Sequence, residues 1–330
     1  MERYLMTGAT GFVGQELLKQ LTAMGADITV LGRHSPDMPG VRFLKADITD
    51  ADALAGVTAG LEFDYILHIA SLPGDTGIPA EMMNVNVTGA LNMLETARTM
   101  KIQRMVLVSS TSAYGWYPAT PFCPPDYMPV DEEHPCRPKD MYAATKRMQE
   151  LLASVYYHEY HVPVTCLRLC AVIGPDGRGG GRGWRTIAEQ LATSEYVQIP
   201  HFSFEEQCHY VDIRDVSRMI IHASHCKNAE GEIFNCCALN STTGYEFEEI
   251  IHRHFPWIEV RCGFPWSMAQ GDKIEFSMKK AREILDFTPV YTLDDSVCYI
   301  KDWINAGGLR KENIPSETFT DGIKSKEESL

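Results

Sequence analysis

Tyr142 and Lys146 stand four residues apart in Met-Tyr-Ala-Ala-Thr-Lys. On a helix that spacing puts both side chains on one face. A phenol ordinarily loses its proton near pH 10, too high for a base at neutral pH. An ammonium beside it favours the phenolate, so Lys146 is expected to depress the pKa of Tyr142. Such a pair can take a proton from an alcohol or return one to a carbonyl. Upstream, residues 106–115 run from three apolar residues into Ser109, Ser110, Thr111 and Ser112. That reads as a buried strand closing on a row of hydroxyls. Hydroxyls at the carboxyl end of a parallel strand face a ligand crevice.

A proton shuttle of this kind needs a redox partner, and the start of the chain offers a place for one. Residues 4–6 are apolar and strand-like; residues 7–14 then read Thr-Gly-Ala-Thr-Gly-Phe-Val-Gly. Leu17, Leu18, Leu21 and Met24 follow at helical spacing. Strand, glycine turn and helix is the context in which glycines cradle a dinucleotide pyrophosphate. Gly8 is expected to permit the tight turn, and Gly11 to admit the phosphates to the backbone of Thr10, Gly11, Phe12 and Val13. Gly14 is expected to let helix and strand pack closely.

The elements that must carry these groups alternate. Strands are expected over 28–31, 41–45, 65–69, 104–109 and 164–169, helices over 12–24, 51–55, 85–98 and 141–160. The fold class is therefore α/β, a Rossmann-like doubly wound parallel sheet with a smaller C-terminal lobe. Composition shifts after Gly174-Pro175 into a Gly/Arg loop over 177–185. The expected organisation is a dinucleotide-binding domain over 1–172 and a substrate-binding lobe over 173–305. The lobe is discontinuous, with some return to the first domain. The polar stretch 306–330 reads as a mobile tail. There are no internal repeats.

A net charge of −14 argues against nucleic acid and anionic membrane as partners. No run of about twenty apolar residues marks a membrane span. The first residues already belong to strand and turn, which leaves no room for a signal peptide and points to the cytoplasm. The ten cysteines show no Cys-x-x-Cys pairing, and Cys166 and Cys170 lie in apolar strands, so they read as core thiols rather than metal ligands.

The spacing Gly-x-x-Gly-x-x-Gly over 8–14 resembles the extended branch of the short-chain dehydrogenase/reductase superfamily, its epimerase/dehydratase-like members, and the resemblance runs to about Trp303. It implies a nicotinamide dinucleotide as cofactor. Asp47 and Ile48 take the place of the pair that contacts adenine. His68, Ile69 and Ala70 end the fourth strand, where the family lays backbone against phosphates and ribose; the His68 side chain itself reads as a packed structural group. Asn86 sits on the family's supporting helix, either bridging backbone and cofactor or fixing a bend. Ser109 and Val172 line the same side, and Lys146 would also hold the nicotinamide ribose. The family's catalytic Ser or Thr stands four residues before a Tyr-Gly pair, which is Ser110 here; counting from the strand end selects Thr111 instead. The second strand ends Val-Leu-Gly-Arg33-His34 without the acid that would bond ribose hydroxyls. Arg33 suits a 2′-phosphate, so NADP is favoured, with NAD the alternative. A homodimer through helices 85–98 and 141–160 is implied by the family alone.

Two positions depart from the family. Residues 168–175 resemble Arg-x-x-Asn-Val-Tyr-Gly-Pro, but Ala171 fills the Asn position that contacts substrate in nucleotide-sugar enzymes. Residues 208–216 resemble Arg-Asp-Phe-Val-His-Val-Asp-Asp-Val, but Cys208 replaces the Arg that grips a diphosphate. A thiol cannot replace a bidentate guanidinium. The first expectation is therefore an oxidoreductase acting on a small alcohol or carbonyl compound, held by Ser110, Thr111 and Ala171. The second is a sugar or nucleotide-sugar epimerase/dehydratase using transient oxidation. A non-catalytic nucleotide sensor comes last, because such proteins lack the Tyr/Lys pair. Trp116, Tyr117, Phe122 and Tyr127 either wall the pocket or stiffen a surface loop; Arg178, Arg182 and Arg185 either close on an acidic substrate or are solvated.

Overall fold

The computed structural model describes residues 1–74, 78–115, 125–176, 182–263 and 274–309. Its first half alternates strand and helix as the hydrophobic periods require: β1 (Arg3–Thr7), α1 (Phe12–Ala23), β2 (Asp27–Gly32), β3 (Arg42–Lys45), α2 (Ala51–Thr58), β4 (Tyr65–His68), α3 (Pro79–Met82) and α4 (Gly89–Met100). Then come β5 (Arg104–Ser110), α5 (Met141–Tyr160), β6 (Val164–Leu169), β7 (Ala171–Ile173), α6 (Arg182–Thr193), β8 (Tyr196–Ile199), β9 (Gln207–Cys208) and β10 (Tyr210–Asp212). The rest is α7 (Ile213–His225), β11 (Ile233–Cys236), β12 (Thr242–Thr243), α8 (Gly244–His254), β13 (Glu259–Cys262), α9 (Lys279–Leu285) and α10 (Leu293–Asn305).

Seven strands form one parallel sheet in the order β11-β6-β5-β4-β1-β2-β3. Strand order reverses between β1 and β4, so their carboxyl ends flank the crevice where open α/β sheets bind ligands. The register sets Thr7 beside His68, His68 beside Leu107, and Ser109 beside Arg168. Leu17, Leu21, Met219 and Ile220 cover one face of the sheet from α1 and α7. Leu54, Met93, Leu94 and Ala153 cover the other from α2, α4 and α5. A third apolar cluster joins Trp184, Ile187, Leu191, Val197, Tyr210, Phe247 and Ile251 from the elements after β7.

The Rossmann-like architecture agrees with the sequence reading, and the differences are local. The helix expected over 85–98 begins earlier, because Met83–Thr88 is wound as a π-helix ahead of α4. The fully buried Asn86 sits in that wider turn. β11 returns to the main sheet beside β6. Its Ile-Phe-Asn-Cys run is too short to declare itself by period. Of the stretch expected to be a mobile tail, 306–309 form a turn in which Gly308 abuts the Trp303 ring, and 310–330 lie outside the described residues. Among the described residues no helix is long and apolar enough to cross a membrane.

Candidate active site

The glycine turn is built for close backbone approach. Gly8 has φ 75°, and a Cβ there would lie 2.6 Å from the Ala70 nitrogen. A Cβ on Gly14 would lie 2.0 Å from the Gly8 carbonyl oxygen. Both contacts are with backbone, which cannot swing aside. Gly11 caps α1 without a side chain, and the first turn holds no acidic residue. The leading amides of α1, at Phe12 and Val13, thus present an unblocked positive helix end, which suits a pyrophosphate. Thr10 is exposed beside them. These residues fit the dinucleotide expected from the sequence.

Around that turn the remaining candidates divide. Arg33 and His34 follow β2 on the exposed surface. The Asp47 carboxylate accepts from the Thr49 amide at 2.9 Å and its hydroxyl at 2.8 Å, which shapes the turn into α2. Ile48 is buried and packs on Gly89. His68 is buried, with Nδ1 2.8 Å from the Thr7 hydroxyl and Nε2 without a partner among the described residues. Burial, aided by the charge of Lys146, pushes its pKa down to about 3, so it is neutral. Ile69 and Ala70 are half-buried, with the Ala70 backbone against Gly8. The Asn86 amide binds protein on every side: its oxygen accepts from the Leu72 amide at 2.7 Å, and its nitrogen donates to Leu72 O at 3.1 Å and Thr145 Oγ1 at 3.0 Å. Thr145 in turn donates to the Tyr142 carbonyl at 2.8 Å. Asn86 therefore fixes the start of α5 against the end of β4.

The helix α5 starts where Asp140 caps it, accepting from the Ala143 amide at 2.8 Å. Lys146, one turn in, is buried, and its Nζ donates to the Val108 carbonyl at 2.8 Å. Nζ lies 5.6 Å from the centre of the Tyr142 ring, which is half-buried. Loss of hydration pulls the Lys146 pKa down to about 8, against the opposing pull of Glu150. Val108 lies two residues before Ser110, so this bond places the Lys146 head beside the strand end that leads into the hydroxyl row. Ser110 ends β5 and accepts from the Ser112 amide at 3.1 Å. Thr111 is buried and donates to Leu169 O at 3.3 Å. The Ser110 hydroxyl also donates to Ser112 Oγ at 3.1 Å, so each of the two alternatives makes one bond to backbone. The Ser109 hydroxyl instead turns under α5 and donates to Glu150 Oε1 at 2.7 Å. Sequence reading passed over Glu150; the available signal was an acid four residues beyond Lys146, hence on its face of the helix.

On the substrate side, Ala171 is buried and pairs with Tyr210 in the β7–β10 ladder. Val172 accepts the Trp184 indole at 2.6 Å. Cys208 is buried in the same aromatic cluster, where Tyr210 OH meets His201 Nδ1 at 3.2 Å. Arg185 pairs with Asp176 at 3.4 Å and Glu189 at 3.2 Å. Tyr127 is exposed and donates to Asp131. Trp116, Tyr117, Phe122 and Arg178 lie outside the described residues.

Comparison with known proteins places this geometry. The model of the NAD dependent epimerase/dehydratase family matches residues 4–237. A probable UDP-glucuronate 4-epimerase from Rhizobium meliloti is 32% identical over 194 residues, covering 53% of this chain and 55% of that protein. Among solved structures, UDP-glucose 4-epimerase of Thermotoga maritima with UDP-glucose superposes with TM-score 0.80 at 21% identity, covering 92% of this chain and 99% of that one. The dTDP-glucose 4,6-dehydratase of Bacillus anthracis in complex with NAD gives TM-score 0.76 at 20% identity, covering 93% and 97%. With its glycine turn, Tyr142/Lys146 pair and parallel sheet, the chain belongs to the NAD dependent epimerase/dehydratase family and is an NAD-dependent enzyme.

Proposed function

We propose that the chain is a nucleotide-sugar epimerase, which oxidises a sugar hydroxyl transiently and returns the hydrogen on the other face. The observation that carries this is the family match together with the helix α5 pair, Tyr142 and a buried Lys146 whose head lies beside the strand end that leads into the hydroxyl row. The relatives named as UDP-sugar epimerases support it over release of a free carbonyl product, the first expectation from sequence. The dinucleotide, when bound, supplies reversible hydride transfer. The rest falls to this chain. Amides of Phe12 and Val13 hold the pyrophosphate. Ser110 holds the reacting hydroxyl, and Tyr142 takes its proton and later returns it. The Lys146 charge favours the phenolate. Residues from about 173 onward shape the lobe that receives the sugar nucleotide. Cys208 in that lobe and Ala171 just before it leave the diphosphate to contacts other than the family's Arg and Asn.

Purified protein incubated with NAD, and separately NADP, and with UDP-glucose, UDP-galactose, UDP-glucuronate and dTDP-glucose in turn, tests the reading. Expected is conversion of one nucleotide sugar to its isomer with no net change in cofactor absorbance. Net reduction of cofactor, with a free carbonyl product, would return the small-alcohol reading. NAD fits the family; tighter binding of NADPH than NADH would make Arg33 the residue that selects a 2′-phosphate.

We also propose a homodimer through α4 and α5. Met148, Leu151 and Val155 recur at helical spacing on the exposed side of α5, and Leu91 is exposed on α4. Light scattering is expected to give twice the chain mass; a monomer at micromolar concentration would remove the dimer from the reading.

A further inference from the structure

Glu150 lies one helical turn beyond Lys146 and is buried. A buried carboxylate must be paired and hydrogen-bonded. Arg168 grips both oxygens, Nε to Oε1 at 2.8 Å and Nη2 to Oε2 at 2.9 Å. Arg147 reaches Oε2 at 3.0 Å, and the Ser109 hydroxyl reaches Oε1 at 2.7 Å. Arg168, itself buried, stacks on the Tyr114 ring at 4.5 Å. One carboxylate thus touches the helix of the acid/base pair, the strand end that leads into Ser110, and the neighbouring strand β6. A buried ion pair is poor evidence of a stabilising device, since apolar replacements are often no worse for stability. Its place directly beneath the reacting groups asks for another reason.

The charges around Lys146 supply it. Burial pushes Glu150 up, but Arg168, Ser109 and Arg147 bring it below the ordinary carboxylate range, so it is ionised at neutral pH. Two other titratable groups facing Lys146, Cys166 and His68, are neutral. Burial drives the Cys166 thiol of β6 far up and His68 of β4 down to about 3. Cys136, beside the Glu150–Arg168 pair, is also raised by burial. Tyr142 stands on the same helix. Glu150 is therefore an ionised group that opposes loss of the Lys146 proton.

We propose that Glu150, clamped by Arg168, is a positioning residue for the acid/base pair: it ties α5 to the end of β5 and keeps the Lys146 side chain cationic. This rests on the reading of Tyr142 and Lys146 given above.

The test is a nuclear magnetic resonance titration of isotope-labelled lysine in the NAD-bound full-length protein, with the Lys146 signal assigned by its loss in Lys146→Met. Glu150→Gln is expected to lower the Lys146 midpoint by about one pH unit, tenfold in its charge equilibrium. The alkaline limb of UDP-glucuronate turnover, or of whichever panel sugar is converted, moves down with it, and Glu150→Asp restores part of both. Glu150→Gln combined with Arg168→Leu leaves no buried guanidinium orphaned to unfold the chain, and a smaller downward shift is expected, because the Arg168 cation is removed with the anion. An unmoved midpoint in both variants overturns the proposal and leaves a structural ion pair. Failure of the underlying reading registers elsewhere: normal turnover in Tyr142→Phe sinks the acid/base assignment and the proposal with it.

Discussion

Tyr142→Phe is expected to lower turnover by about 10²- to 10⁴-fold, the usual worth of a positioned acid/base group. The substitution removes one oxygen from a half-buried ring at the start of α5. The Asp140 cap of that helix, and the Thr145–Asn86 bonds that tie it to the end of β4, use other atoms. Thermal midpoint and NAD affinity should therefore stay close to wild type, and the loss should fall in kcat with little change in KM. Turnover within a few-fold of wild type would mean that another group moves the proton.

Lys146→Met is expected to lose activity on a similar scale and yet to fold more stably. In wild type the ammonium is buried, with the Val108 carbonyl as its hydrogen-bond acceptor, and burial pulls its pKa from the ordinary 10.5 to about 8. A downward shift in a base means that the folded chain holds the proton less well than the unfolded one. Between about 8 and 10.5 the unfolded chain is protonated and the folded chain is not, so this group makes stability rise with pH across that window. Below about pH 8 both states are charged and the full penalty persists. At about 1.4 kcal/mol per unit, less roughly 1 kcal/mol for the lost hydrogen bond, methionine should gain on the order of 2 kcal/mol at neutral pH. Denaturant melts of both proteins at neutral and alkaline pH check this: the gain should be largest below pH 8 and shrink toward 10.5. A less stable variant at pH 7 would show that the ammonium holds α5 in place.

Much of this was legible in the chain because backbone motifs are local. The Gly8–Gly11–Gly14 spacing, the Tyr142/Lys146 interval and the alternating apolar runs each depend on residues a turn or two apart. What stayed hidden is non-local. Arg168 meets Glu150 only because β6 lies under α5, and Ser109 joins them only because the β5–β6 register sets it beside Arg168. A four-residue strand such as β11 carries too little pattern to reveal that it pairs with β6. The two departures at Ala171 and Cys208 weighed the sequence reading toward a small alcohol or carbonyl; the named relatives weigh it back toward nucleotide sugars.

The glycine turn bears on how this protein can be re-engineered. At Gly8 and Gly14 any added carbon would lie 2.6 Å or less from backbone, so those positions admit a single residue type. Arg33 and His34, by contrast, are exposed at the end of the neighbouring strand. A designer who wishes to exchange one dinucleotide for the other thus has a locked half and an open half. On the reading that this turn cradles a pyrophosphate, it cannot be edited without rebuilding the sheet beneath it, whereas the proposed ribose end is exposed at two surface positions.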